Sequence, residues 1–117
     1  VITFDLPRPP SVNAMFRNVP GVGRVRASAY RTWFKEASEE MMLQRVGQPV
    51  PKPPVAVSIC LPDSNGKSDL GNYEKAIGDC LVSMGVIPDD NDKYVRKITL
   101  EVGAPKGRCI VRVEELG

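Results

Sequence analysis

The chain contains no histidine. Imidazole acid–base pairs, histidine-activated nucleophiles and histidine-ligated metals are therefore excluded, which leaves carboxylates and lysine as the available chemistry. Only three cysteines occur, Cys60, Cys80 and Cys109, and each is far from the others in an apolar segment. No zinc spacing results, and the three read as small buried hydrophobes. No run approaches the roughly 20 apolar residues that cross a bilayer, and the first residues lack a signal-peptide pattern. Those two absences predict a cytoplasmic protein without a membrane partner. Charge of one sign is also scarce, with a formal net charge of +2. That is weak for a nucleic-acid binder, so any such role depends on where the charges sit.

The cations are unevenly spread over the 117 residues, a length that suits one domain (1–117) able to bury its own core. From Leu6 to Lys35 there are six, Arg8, Arg17, Arg24, Arg26, Arg31 and Lys35, and no acid; from Glu36 onward thirteen acids outnumber ten cations. Ahead of the basic part, Ile2, Phe4 and Leu6 alternate with Val1, Thr3 and Asp5, predicting a strand with one buried face that ends at the prolines from Pro7 to Pro10. The stretch from there to Arg26 has no clear periodicity. A loop of that length in a compact domain is functional or mobile.

Periodicity then returns. Tyr30, Trp33, Phe34, Ala37 and Met41 form a helical stripe that predicts a helix from an N-cap at Ser28 to about Val46, closed by Gly47. Arg31, Lys35 and Glu39 make a solvated row with one Lys35–Glu39 pair. A proline-rich connector leads to Val55, Val57, Ile59 and Leu61, a central strand with both faces covered. Near the end, Ile98, Leu100 and Val102, then Cys109, Val111 and Val113, predict two strands joined by a hairpin loop at Gly103–Gly107. The order β-α-β-α-β-β implies an α+β domain, two helices packed on a mixed four-stranded sheet.

The most unusual stretch runs from Ser68 to Tyr94. Leu70, Tyr73, Ile77, Cys80, Leu81 and Met84 recur at helical spacing and predict a helix over about Asp69–Met84. Asn72, Lys75 and Asp79 lie off that stripe, and Asp89, Asp90 and Asp92 crowd the turn after it. A helix of that length spans roughly 24 Å, so Asp69 and Asp90 meet only if the following strand runs back beside it. Carboxylates brought together in that way repel unless a cation lies between them, and a hard divalent ion such as magnesium suits them. Two plainer readings of Asp89-Asp90-Asn91-Asp92 stand beside this one. It lacks the glycine and distal glutamate of an EF-hand calcium loop, and as an acidic turn braced by its own side chains it needs no ion.

The motif Asp69-Leu70-x-Asn72-x-x-Lys75-x-x-x-Asp79-x-Leu81, followed by Gly85-Val86-Ile87-x-Asp89-Asp90, resembles the RusA family of phage-type Holliday junction resolvases. Pro9-Pro10-Ser11-Val12-Asn13 and the order of elements extend the likeness over nearly the whole chain. The resemblance implies a homodimeric endonuclease that binds four-way DNA junctions and nicks two strands symmetrically, with Mg2+, or Mn2+ as a substitute, held by aspartates. Carried over residue by residue, it makes Asp69 and Asp90 metal ligands and Lys75 the active-site lysine. Arg17, Arg24 and Arg26 of the basic arm, with Lys67 and Lys75, become the expected DNA contacts. On the residues alone that arm reads equally as a solvated loop.

One position departs from the family pattern. Its Asp-x-Asp-Asn motif places a second aspartate where this chain has Gly71, so one of three carboxylates is missing. Asp89, Glu74 or Asp79 is available to supply the oxygen, or water takes its place. In the remaining alternative the protein binds junctions with weak or no cleavage. On the residues alone Glu74 is a solvated surface acid.

Overall fold

Alternation sets the first element. In β1 (Ile2–Pro7) the side chains of Ile2, Phe4 and Leu6 are fully buried while Thr3 and Asp5 face outward, the period of two expected of a strand on a core. The computed structural model describes residues 1–117. After β1 come a hairpin of β2 (Phe16–Val19) and β3 (Gly23–Arg26), helix α1 (Ser28–Gln44), β4 (Val55–Pro62), helix α2 (Glu74–Ser83), β5 (Val95–Ala104) and β6 (Arg108–Glu115). The main sheet has the order β1-β6-β4-β5, with β4 and β5 parallel and the other pairs antiparallel. A parallel pair needs a crossover, and α2 supplies it. The α+β domain with two helices and a mixed four-stranded sheet is thus as expected.

One face of the sheet carries the core. Phe4, Val57, Ile59, Val111 and Val113 pack with Tyr30, Trp33, Ala37 and Met41 of α1 and with Ala76, Ile77, Cys80 and Leu81 of α2 in one cluster. Both helices therefore lie on the same side. The other face of β4 is open, with Ser58 and Cys60 half-buried, which corrects the expectation that this strand is covered twice. Its central place in the sheet is as expected.

Three further expectations change. The long basic loop is partly a hairpin, closed by Val22 N–H donating to Val19 O at 3.0 Å; too few of its residues are apolar to show a period. Helix α1 begins with Ser28 as its first residue, after an Ala27 N-cap, and stops at Gln44; the Lys35–Glu39 pair is not among its ion pairs. Helix α2 is shorter than its stripe suggested. Leu70–Asn72 form a separate 3-10 turn, and Tyr73, with φ −112°, is the N-cap of α2.

The two edges of the sheet differ. Along β1, Gln44 at the end of α1 and Gln48 just after it bond the outward backbone: Asp5 N–H donates to Gln44 Oε1 at 2.7 Å and Thr3 N–H to Gln48 Oε1 at 2.9 Å, with both amide groups donating in return. Two glutamines thus occupy the hydrogen-bonding positions of a neighbouring strand, one remedy for an open edge. Strand β5 pairs only with β4, which lies between it and β6, so the two strands joined by Gly103–Gly107 do not form the expected hairpin; Ile98 and Val102 of this edge strand are half exposed.

Candidate active site

The site grows from the first turn of α2. Burying Ala76, Ile77, Cys80 and Leu81 fixes the rotation of the helix, and the remaining positions turn Lys75 and Asp79 toward one another at i,i+4. The Lys75 ammonium lies 3.0 Å from Asp79 Oδ1 and 3.7 Å from Asp90 Oδ2. Asp90 comes from the turn after the helix and approaches α2 over Gly78, where a Cβ would stand 3.7 Å from its Oδ2. Glu74, Lys75, Gly78 and Asp90 share a groove of about 190 Å³ with Val57, Ile59 and other apolar side chains of the sheet and helix. Charge therefore rims an apolar slot.

Electrostatics favour the charged form of Lys75. The pKa of Lys75 is raised above the usual lysine value, first by its hydrogen bond to Asp79, which with the charges of Asp79 and Asp90 outweighs the opposing effect of desolvation. At neutral pH it is a cation and cannot serve as a general base. On the inner side, burial and then the Asp79 charge push the Tyr30 phenol above its usual range. Asp79 thus stands between Lys75 and Tyr30, which sequence reasoning did not find. The i,i+4 spacing was its signal for Lys75; nothing local pointed to Tyr30.

The acidic turn is braced by its own atoms. Asp89 Oδ1 accepts from Asp90 N–H at 2.7 Å, Asp89 Oδ2 accepts from Asn91 Nδ2 at 3.1 Å, and Asn91 Oδ1 accepts from Lys93 N–H at 3.0 Å. These bonds aim Asp90 back toward the helix. Asp69 is exposed at the start of the 3-10 turn, makes no cap bond and does not line the groove. Gly71, in that same turn, has nothing within 4 Å of where its Cβ would be.

The expected DNA contacts fall into three places. On the β2–β3 hairpin, Arg24 stacks 4.1 Å from the Phe16 ring centroid, and Arg26 lies over Tyr30 and Phe34 at 5.3 and 4.9 Å. Cross-strand pairing of Phe16 with Arg26 and of Asn18 with Arg24 puts these two arginines on one face; Arg17, paired with Val25, is on the other. Lys67 sits in the loop after β4, and Lys75 in the groove.

The donors available to a cation are all carboxylate oxygens, the chemistry that a hard divalent ion takes. No three of them converge on one point. At most one or two carboxylates of this chain can therefore reach a single ion, and water would have to supply its remaining ligands.

Fold and site together define a small two-layer α+β domain with a carboxylate-and-lysine groove and a cationic hairpin. The family model Endodeoxyribonuclease RusA matches residues 7–114. The chain belongs to that family, whose members are nucleases acting on DNA. Comparison with curated proteins gave no match. No helix is long and apolar enough to cross a membrane.

Proposed function

We propose that the protein is a magnesium-dependent endonuclease that binds four-way DNA junctions and resolves them by paired symmetric nicks as a homodimer. The observation that carries this reading is the approach of Lys75 to Asp90, two members of the motif brought together at one groove in a chain of this nuclease family. Asp90 would hold the ion at the groove, and Asp69, which the family motif makes the second ligand, would have to approach it from outside the groove; Glu74, on the same groove as Asp90, is better placed to add an oxygen than Asp89, both of whose oxygens already serve the turn. An ion held there, magnesium or manganese in its place, would supply an activated water and neutralise charge on the scissile phosphate. Lys75, a fixed cation, attracts and orients that phosphate, which the acids alone would repel.

Symmetric nicking calls for two sites related by a two-fold axis. The open edge of β5, with Ile98 and Val102 exposed on it, supports pairing with a second copy, because the β1 edge is already covered by Gln44 and Gln48. Arg17, Arg24, Arg26 and Lys67 are the DNA contacts outside the groove.

A second reading has its own observation. Gly71 contributes no side chain where the family motif carries a carboxylate, which favours a junction binder that cuts weakly or not at all. Incubation with a synthetic four-way junction in magnesium and in manganese separates the two. Paired nicks that vanish in Asp90→Asn support the nuclease; retarded but uncut junctions in both metals support the binder.

A further inference from the structure

Outside the groove, three cations that form no ion pair share one depression. Arg8 follows β1, Lys67 lies in the loop after β4, and Lys106 lies in the β5–β6 turn. All three line one depression of about 440 Å³ together with Ser64, Ser68 and Asp63. None of the three takes part in any ion pair of the chain. Unpaired cations facing one small cavity repel one another, an arrangement that an anion relieves.

Arg8 is moreover held in place by neutral groups. Its backbone N–H donates to Gly107 O at 2.9 Å. Its guanidinium donates to Tyr73 Oη at 3.0 Å and lies 5.0 Å from the centre of that ring. Tyr73 in turn donates to Ser68 Oγ at 3.0 Å. The Asp63 carboxylate is the one negative group on the wall, and it accepts Asn65 N–H at 2.8 Å within the loop. Three positive charges against one leave the cavity cationic, with the Ser64 and Ser68 hydroxyls beside them.

We propose that Arg8, Lys67 and Lys106, with Ser64 and Ser68, form a second phosphate-binding subsite that takes a backbone phosphate of the DNA beyond the one in the groove. This rests on the nuclease reading for its ligand. Placement supports it: Tyr73, which holds the Arg8 guanidinium, directly precedes Glu74, which lines the groove, so the two sites are continuous in the chain. A strand that engages Lys75 then continues onto this cavity, where the planar guanidinium suits a phosphate's paired oxygens.

The test is junction binding as a function of salt for the Lys67→Ala/Lys106→Ala double variant, with Lys52→Ala, near the other end of β4, as control. Each phosphate contact contributes about 0.7–0.9 to the slope of log K against log salt. The double variant is expected to lose about 1.5 of that slope and to bind about fivefold or more weakly at 0.1 M salt, while Lys52→Ala matches the parent. A double variant that also matches the parent overturns the subsite. Amide NMR shifts at Ser68 and Gly107 on adding inorganic phosphate provide the independent measurement. If the parent protein binds no junction, the nuclease reading fails by itself; phosphate-induced shifts lost in the double variant then preserve the anion site, and their absence overturns it. Phosphate shifts with an unaltered salt slope assign the cavity to free phosphate and overturn its role in DNA binding.

Discussion

Lys75 Nζ stands 3.7 Å from Asp90 Oδ2, across the gap between α2 and the turn that follows it. The side chains are 51% and 43% exposed, so the pair contributes little to folding, about 0–1 kcal/mol. Its significance is positional. Asp90→Asn should therefore leave the thermal midpoint nearly unchanged and lower junction nicking by about 10²-fold or more, the scale of losing one group that stabilises developing charge. Nicking of a synthetic junction and thermal denaturation of the same preparations check this, and cleavage at the parental rate would remove Asp90 from the site.

Gly71 occupies open space in the 3-10 turn, with φ outside the left-handed region and nothing within 4 Å of the position that a Cβ would take. A carboxylate introduced there meets no clash at its first carbon and adds the oxygen that the motif lacks. Gly71→Asp is expected to increase metal-dependent nicking and to lower the magnesium concentration at half-maximal rate. An unchanged or reduced rate would show that another residue, Glu74 first among them, has already taken that place.

Much of this was legible in the chain because periodicity reports burial. The alternation in β1, β4 and β6 and the stripe Tyr30-Trp33-Ala37-Met41 all fall where the core is. Boundaries were less legible. The apolar stripe through Leu70 and Tyr73 continues at helical spacing although the backbone there is a 3-10 turn, since both conformations place those side chains inward. The β2–β3 hairpin was obscured by its arginines, although the Pro20-Gly21 pair is a turn signal. The motif gave Lys75 and Asp90 their places, but Tyr30 beside Asp79 and Arg8 on Tyr73 come from segments distant in sequence. Only the packed chain brings them together.

Arg24 and Arg26 lie on one face of the hairpin, stacked on Phe16, Tyr30 and Phe34, and that stacking keeps their charge in a fixed position. Replacing each by glutamine removes the charge while keeping part of the stem that covers the rings. The double variant should bind junctions more weakly with a salt slope lower by about 1.5, at about 0.7–0.9 per contact. Arg17→Gln, on the opposite face, tests whether that side also meets the DNA. An unaltered slope in the Arg24/Arg26 variant would return the hairpin to a structural role.

The thiols set the alkaline limit. Burial, ahead of every charge effect, raises Cys109 from 9.0 to about 12, and burial also raises Cys80 and Cys60. A raised thiol pKa means that the fold favours the neutral form. Unfolded chains ionise near pH 9 while the native state holds its protons, so stability from this source is fully present below about pH 9 and falls as pH rises toward 12. Denaturant unfolding from pH 7 to 11 should show this decline, and Cys109→Ala should flatten it. Disulfide exchange reagents at pH 8 should label Cys80 and Cys109 only after unfolding.

Gly78 gives the sharpest test of the groove, because it separates helix stability from the position of Asp90. A glycine inside a helix costs about 0.5–1 kcal/mol relative to alanine, and an alanine Cβ at this position would meet Asp90 Oδ2 at 3.7 Å, an ordinary contact. Gly78→Ala should accordingly raise stability by up to about 1 kcal/mol with nicking retained. Gly78→Leu adds three further carbons directed at the groove and must displace Asp90 from Lys75, so it should fold yet lose most of its nicking. Equal activity in the two variants would mean that the closeness of Asp90 to α2 has no part in the reaction.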